Sequence, residues 1–155
     1  MSHLGSLFLL KPKNFAKGKI PIAIGWDTPP ADLEKATDGD PNTVTTTGSS
    51  TTSGAGYYGY IDLDLKEDGV YLVGAKIGIW SSAGIVRVYW ASKPDGVNWH
   101  KAMPYSVIYY NTTSETVFNA GSVVVSGRYI RLQFHINTSA TAYANIYEIW
   151  AFKLV

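Results

Sequence analysis

At 155 residues with 46% hydrophobic side chains, the chain is one domain by length and can bury a real core, which excludes intrinsic disorder. Thirteen basic and twelve acidic residues leave a formal charge of +1 with no basic stripe, so nucleic-acid binding has no electrostatic footprint. Cys is absent, which removes disulfides and thiol catalysis, and no apolar run approaches transmembrane length, so membrane insertion is not expected.

The first eleven residues, Met1 to Lys11, do not read as a signal peptide: the basic n-region is missing, the apolar run is short and no small-residue cleavage site follows. This predicts cytoplasmic synthesis, with a virion or extracellular surface reached by assembly or release. Pro30 to Ala36 is the best short helical candidate. The next stretch, Lys35 to Thr43, packs two carboxylates (Asp38, Asp40), a hydroxyl (Thr43) and several turn carbonyls into one bend set by Gly39 and Pro41. Hard oxygen donors of this kind suit Ca²⁺, whereas an Asx-type turn joining two strands is the equal alternative. Gly48 to Gly59, rich in Ser, Thr and Gly, reads as a long loop.

From there the pattern is strand and turn. Tyr60–Leu65 alternates apolar with polar, and Glu67-Asp68-Gly69 turns the chain. Val70–Trp80 and Ile85–Ala91 are β-rich runs separated by Ser81–Gly84, and Pro94-Asp95-Gly96 is a turn in which Pro presets φ. Strands resume at Ser106–Tyr110, Ser122–Val125, Tyr129–Ile136 and Asn145–Leu154. Short strands at this spacing predict an all-β antiparallel sandwich or barrel.

Aromatic side chains are abundant, with eleven Tyr and five Trp. Trp26 and Tyr57 fall in predicted loops beside the acidic bend, and Trp80 ends a strand. A ring beside polar groups can stack on the C–H face of a sugar while amides and charges read its hydroxyls. Capping the sandwich ends or filling a subunit interface is the competing role for each of them. His100 is a further ligand candidate. His3, His100 and His135 share no metal spacing. Arg131, Gln133 and His135 alternate along one strand and project from one face, which reads as a solvated sheet surface, with a sugar-binding polar patch as the alternative. No catalytic constellation stands out, so an enzyme is not expected.

In order, Ala36–Thr43, Tyr60–Leu65, Val88–Ser92 with Pro94–Trp99, Gly127–Leu132 and Ile146–Phe152 resemble the discoidin, or coagulation factor 5/8 type C, domains. The resemblance implies a galactose-binding-like antiparallel jelly-roll β-sandwich over residues 14–155, with residues 1–13 left as an N-terminal arm and Trp99 packed in the core under the Asp95-Gly96 turn. It departs in two places: Val44 stands where relatives often carry Trp, and the first loop is unusually rich in Thr, Ser and Gly. By position it also implies a structural Ca²⁺ site: Asp38 and Asp40 through carboxylates, Thr43 through its hydroxyl or carbonyl, Lys35 or Ala36 through a backbone oxygen, and Glu148 from the last strand.

Two roles follow. One is a calcium-stabilised module binding a surface glycan through Trp26, Tyr57, Trp80 and His100. The other is a structural component of a phage or virus assembly, a decoration, spike or tail protein, in which the Leu4–Leu10 arm mediates self-association.

Overall fold

The computed structural model describes residues 12–110 and 114–155, of which 103–110 by their backbone alone. The Leu4–Leu10 arm lies outside the described residues. Nine strands form two antiparallel sheets: β1 (Ile22–Ile24), β2 (Gly48–Thr52), β3 (Gly56–Asp64), β4 (Val70–Ser81), β5 (Ile85–Ser92), β6 (His100–Tyr110), β7 (Thr116–Ser126), β8 (Tyr129–Ile136) and β9 (Ala140–Lys153). One sheet runs β1-β3-β8-β5-β6, the other β2-β9-β4-β7. The predicted helical candidate is a single 3₁₀ turn, Leu33–Ala36.

Period-two patterning builds the core. On β8, Ile130, Leu132, Phe134 and Ile136 point inward and are buried, while Tyr129, Arg131 and His135 face out. Facing them across the sandwich are Tyr71, Val73, Ala75, Ile77 and Ile79 of β4 with Ala142, Ala144 and Ile146 of β9. Each large aliphatic or aromatic side chain buried in this way contributes about 1.5–3 kcal/mol. The small Ala column on β9 lets the two layers approach closely.

The predicted strands are present, and four are longer than the sequence indicated by more than one residue: β3, β6, β7 and β9. The Gly48–Gly59 stretch is not one loop. It holds β2, which pairs with β9 from Gly48↔Ala144 to Thr52↔Ala140, and the start of β3. Small residues are required there because the Trp26 indole lies against Gly48 and Gly59 and leaves no space for a Cβ at either. Chain composition suggested flexibility where close packing was the reason.

Candidate functional site

Two regions bring polar side chains together. The first is the acidic bend. It follows the 3₁₀ turn and is tied down on both sides: Thr37 Oγ1 donates to the Lys19 carbonyl (2.5 Å), and Thr45 and Ile146 exchange hydrogen bonds through Thr45 N and Oγ1. Between Lys76 and Ile77 the β4–β9 register shifts, so that Lys76 opposes Glu148 and Ile77 opposes Ile146. This bulge turns Glu148 into the bend, where it is only 6% exposed.

Oxygen atoms converge at this point. Thr43 Oγ1 lies 2.6 Å from Asp38 Oδ2, 3.0 Å from the Asp40 carbonyl and 3.3 Å from the Lys35 carbonyl. A hydroxyl has one proton and cannot satisfy three acceptors. Glu148 Oε1 accepts from Gly39 N (3.3 Å), but its Oε2 is buried without a partner. Burial, the opposing Gly39 N–H notwithstanding, together with the neighbouring Asp38 and Asp40 charges, pushes the Glu148 carboxyl up to about 7. Asp38 is lowered, chiefly by its bond from Thr43. Around Thr43 the bend is rich in hard oxygen, with the Lys76 ammonium at its edge bound to the Pro41 carbonyl (2.9 Å), and this oxygen set fits a divalent cation such as Ca²⁺. Asp40 differs from the sequence expectation. Its carboxylate accepts from Asn42 N (2.9 Å), and its carbonyl is the atom that turns toward Thr43.

The second region is the outer face of the five-stranded sheet. Register aligns Tyr57, His135 and Arg87 in one row, Ile24, Tyr60, Gln133 and Tyr89 in the next, and Ile22, Asp62, Arg131, Ala91 and Lys101 in a third. Tyr57 lies 5.4 Å from Tyr60 and 5.1 Å from His135, ring to ring. Arg131 pairs with Asp62 through two bonds of 2.6 and 2.7 Å, and Arg128 pairs with Asp64 in the same manner at 2.7 and 2.9 Å. Arg128 holds Asp64 well below the usual carboxylate range.

Beside these pairs opens a cleft of about 590 Å³. Trp99 and Tyr129 form one wall, Ile20 and Ile22 the other, with Asp62, Asp64 and Lys93 between them. Trp99 is thus not a core residue: it is half-buried on the surface with the Lys93 ammonium 4.7 Å and the Arg131 guanidinium 4.2 Å from its ring centre. The row read as a solvated surface is also more enclosed than expected. Gln133 is 8% exposed, and Gln133 Oε1, His135 Nδ1 and Arg87 Nε are buried without partners.

The four ligand candidates do not converge. Tyr57, 38% exposed, belongs to the aromatic face, and His100 is exposed where β6 begins. Trp80 is on the opposite sheet, stacked on Tyr143 at 5.0 Å and 10°. Trp26 is spent on the framework: it packs edge-on against Tyr58 and donates Nε1–H to the Tyr60 carbonyl (3.0 Å). Tyr60, Tyr89, Trp99 and Tyr129 escaped sequence reasoning because their neighbourhood is made by register between strands up to seventy residues apart. The available signal was the alternation of Tyr129, Arg131, Gln133 and His135, with Tyr60, Asp62 and Asp64 repeating it on β3.

No family model and no curated protein sequence matches the chain. Solved structures do. The CBM32 module of AlyQ in complex with 4,5-unsaturated mannuronic acid is 19% identical over 85% of this chain and 92% of its own, with a TM-score of 0.51. Chitosan-binding module 1, derived from the chitosanase/glucanase of Paenibacillus sp. IK-5, is 16% identical over 90% of this chain and 98% of its own, at 0.50. At such identities the likeness shows the fold: an antiparallel β-sandwich of the galactose-binding-like class.

Proposed function

We propose that this chain is a non-catalytic, calcium-stabilised glycan-binding module of discoidin type. The observation that carries the reading is the cleft beside the aromatic face. Its Trp99–Tyr129 and Ile20–Ile22 walls offer apolar surface to sugar C–H groups, and Asp62, Asp64 and Lys93 offer hydrogen bonds to hydroxyls. Each carboxylate accepts a bidentate Arg and still keeps lone pairs for further donors. Because the arginines fix these carboxylates before a ligand arrives, little ordering cost remains on binding. The carbohydrate-binding modules that share the fold point the same way.

Calcium has a separate task in this reading. Lys35 and Asp40 carbonyls, the Asp38 carboxylate, Thr43 Oγ1 and Glu148 Oε2 would hold the ion and so join the first loop to the last strand, more than a hundred residues apart in sequence. No reacting group lies in the cleft for it to serve.

Retardation in gels cast with neutral, acidic and amino-sugar polysaccharides tests the reading. At least one polymer slows the protein, and Trp99→Ala weakens that binding about ten-fold, the usual effect of removing a Trp anchor. Free migration in the whole panel would exclude a glycan role.

A further inference from the structure

We infer that the glycan is acidic: the outer face of the five-stranded sheet is a receptor for a carboxylate-bearing polysaccharide, with Lys93 and Lys101 pairing to the sugar carboxylates. This deepens, and rests on, the glycan-binding reading above.

Charge separation carries it. The only carboxylates on this face are Asp62 and Asp64, and both are already held by arginine. Lys93, Lys101 and Arg87 have no carboxylate partner among the described residues, which include all twelve acidic side chains of the chain. The other acids lie at the bend (Asp38, Asp40, Glu148), on the 3₁₀ turn and its cap (Asp32, Glu34), with Lys153 (Glu67), with Asn145 and Tyr147 on the opposite sheet (Glu115), or in loops, where Asp27 accepts from Thr51 N, Asp68 precedes β4 and Asp95, in the turn after β5, accepts from Val97 N and Asn98 N. This face of a nearly neutral protein therefore carries Lys93, Lys101 and Arg87 uncompensated by a carboxylate, a positive charge that attracts and orients an anion.

The free cations are also positioned. Lys101 Nζ rests 3.9 Å from the Tyr89 ring centre and 5.4 Å from that of Tyr57, and Lys93 Nζ is 4.7 Å from Trp99 and 5.4 Å from Tyr129. These rings hold two flexible lysines out along the face, so less rotamer entropy is lost when each meets an anion. The positive field registers on His135, whose pKa is lowered first by its burial and then by Arg87 and Lys101.

Length favours a chain over a single sugar. From Tyr129 to His135 the face extends along β8 by about 20 Å at the rise of a strand. Trp99 and Lys93 stand toward one end of this track and Tyr57 toward the other, with Lys101 over the rings of Tyr57 and Tyr89. Along this track Gln133 Oε1, His135 Nδ1 and Arg87 Nε are buried and unpaired among the described residues.

The test uses the full chain against polygalacturonate, dextran sulfate and a neutral galactomannan, by affinity electrophoresis at low and high salt. Polygalacturonate binds best, and its hold weakens with salt. Replacing Lys93→Ala together with Lys101→Ala lowers the affinity about ten-fold, the sum of two exposed ion pairs, without lowering the melting temperature. Lys93→Arg with Lys101→Arg keeps it. Binding of galactomannan as strong as that of polygalacturonate, unchanged in the double Ala variant, would overturn the acidic assignment and leave the glycan-binding reading intact. Equal binding of dextran sulfate would overturn it too, reducing the face to an unspecific polyanion patch. Should none of the three polymers bind, the acidic assignment falls; the wider panel, amino-sugar polymers included, decides whether glycan binding falls with it.

Discussion

The acidic bend and the outer face of the five-stranded sheet are built from opposite shortages. At the bend, oxygens crowd around a single Thr43 hydroxyl proton and Glu148 Oε2 has no donor, so these oxygens lack a positive partner even though Lys76 reaches the nearby Pro41 carbonyl. On the sheet face, ammonium groups rest on rings because no free carboxylate is near, so negative charge is lacking. The contrast separates stability from recognition. In the reading proposed above, the deficit enclosed within the fold, between two parts of the same chain, is met by an ion that would become part of the structure. A deficit spread over an open surface is met by something that comes and goes.

The largest effect that would break or sharpen this contrast is the removal of calcium. An ion present at a hundred times its dissociation constant adds about 2.7 kcal/mol. For a domain of this size, adding chelator then lowers the melting temperature by roughly 5–10 °C. Glycan affinity measured well below that transition stays nearly constant, since the bend reaches the cleft only by way of Thr37, bonded to the Gly18 and Lys19 backbone, and not through Asp62, Asp64, Lys93 or Trp99. An unchanged melting curve in EDTA would show the bend to be an Asx-type turn and no more.

A smaller effect appears when pH is varied in chelator. The Glu148 carboxyl stands at about 7 in the folded chain against an ordinary 4.5, first because it is buried and then because Asp38 and Asp40 oppose its charge. A folded pKa raised in this way means that the protonated acid contributes stability fully below pH 4.5, and that this contribution is lost as pH rises through 7. The ion-free protein therefore loses stability across that window, and Glu148→Gln, which mimics the protonated acid, flattens the slope. Circular-dichroism melts at several pH values read it directly. A slope as steep in the variant as in the parent would remove Glu148 from the account.

The smallest effect is expected on the opposite sheet. Glu115 accepts from Tyr147 Oη (2.5 Å) and from Asn145 Nδ2, and it lies over Gly78. Glu115→Gln costs about 1 kcal/mol of stability, through hydrogen bonds that lose their charge. It leaves polysaccharide retardation unchanged, because this face takes no part in recognition. A loss of binding in this variant would shift the site to the Trp80–Tyr143 stack.

Much of this was legible in the residues alone. Tyr129–Ile136 and Ile85–Ala91 declare themselves as strands through strict alternation, and the donor types of the bend, Asp38, Asp40, Thr43 and Glu148, could be listed before any fold was known. Less was legible where composition misled: Gly48–Thr52 reads as part of a long loop, yet it pairs with β9 as a strand, and its glycine stands where Pro30 and Trp26 leave no room for a Cβ.

What the sequence by itself determined is therefore the local grammar: period-two faces, turns, and the chemical kinds of donor available. Tertiary structure alone decided which donors meet. A bulge on β9 turned Glu148 into the bend, and strand register set Tyr60, Gln133 and Tyr89 side by side with Lys101 above Tyr89. The physical reason is that alternation is a property of one strand, whereas a binding face is a property of several, and a shift of one residue in any of them would turn its side chains to the other side.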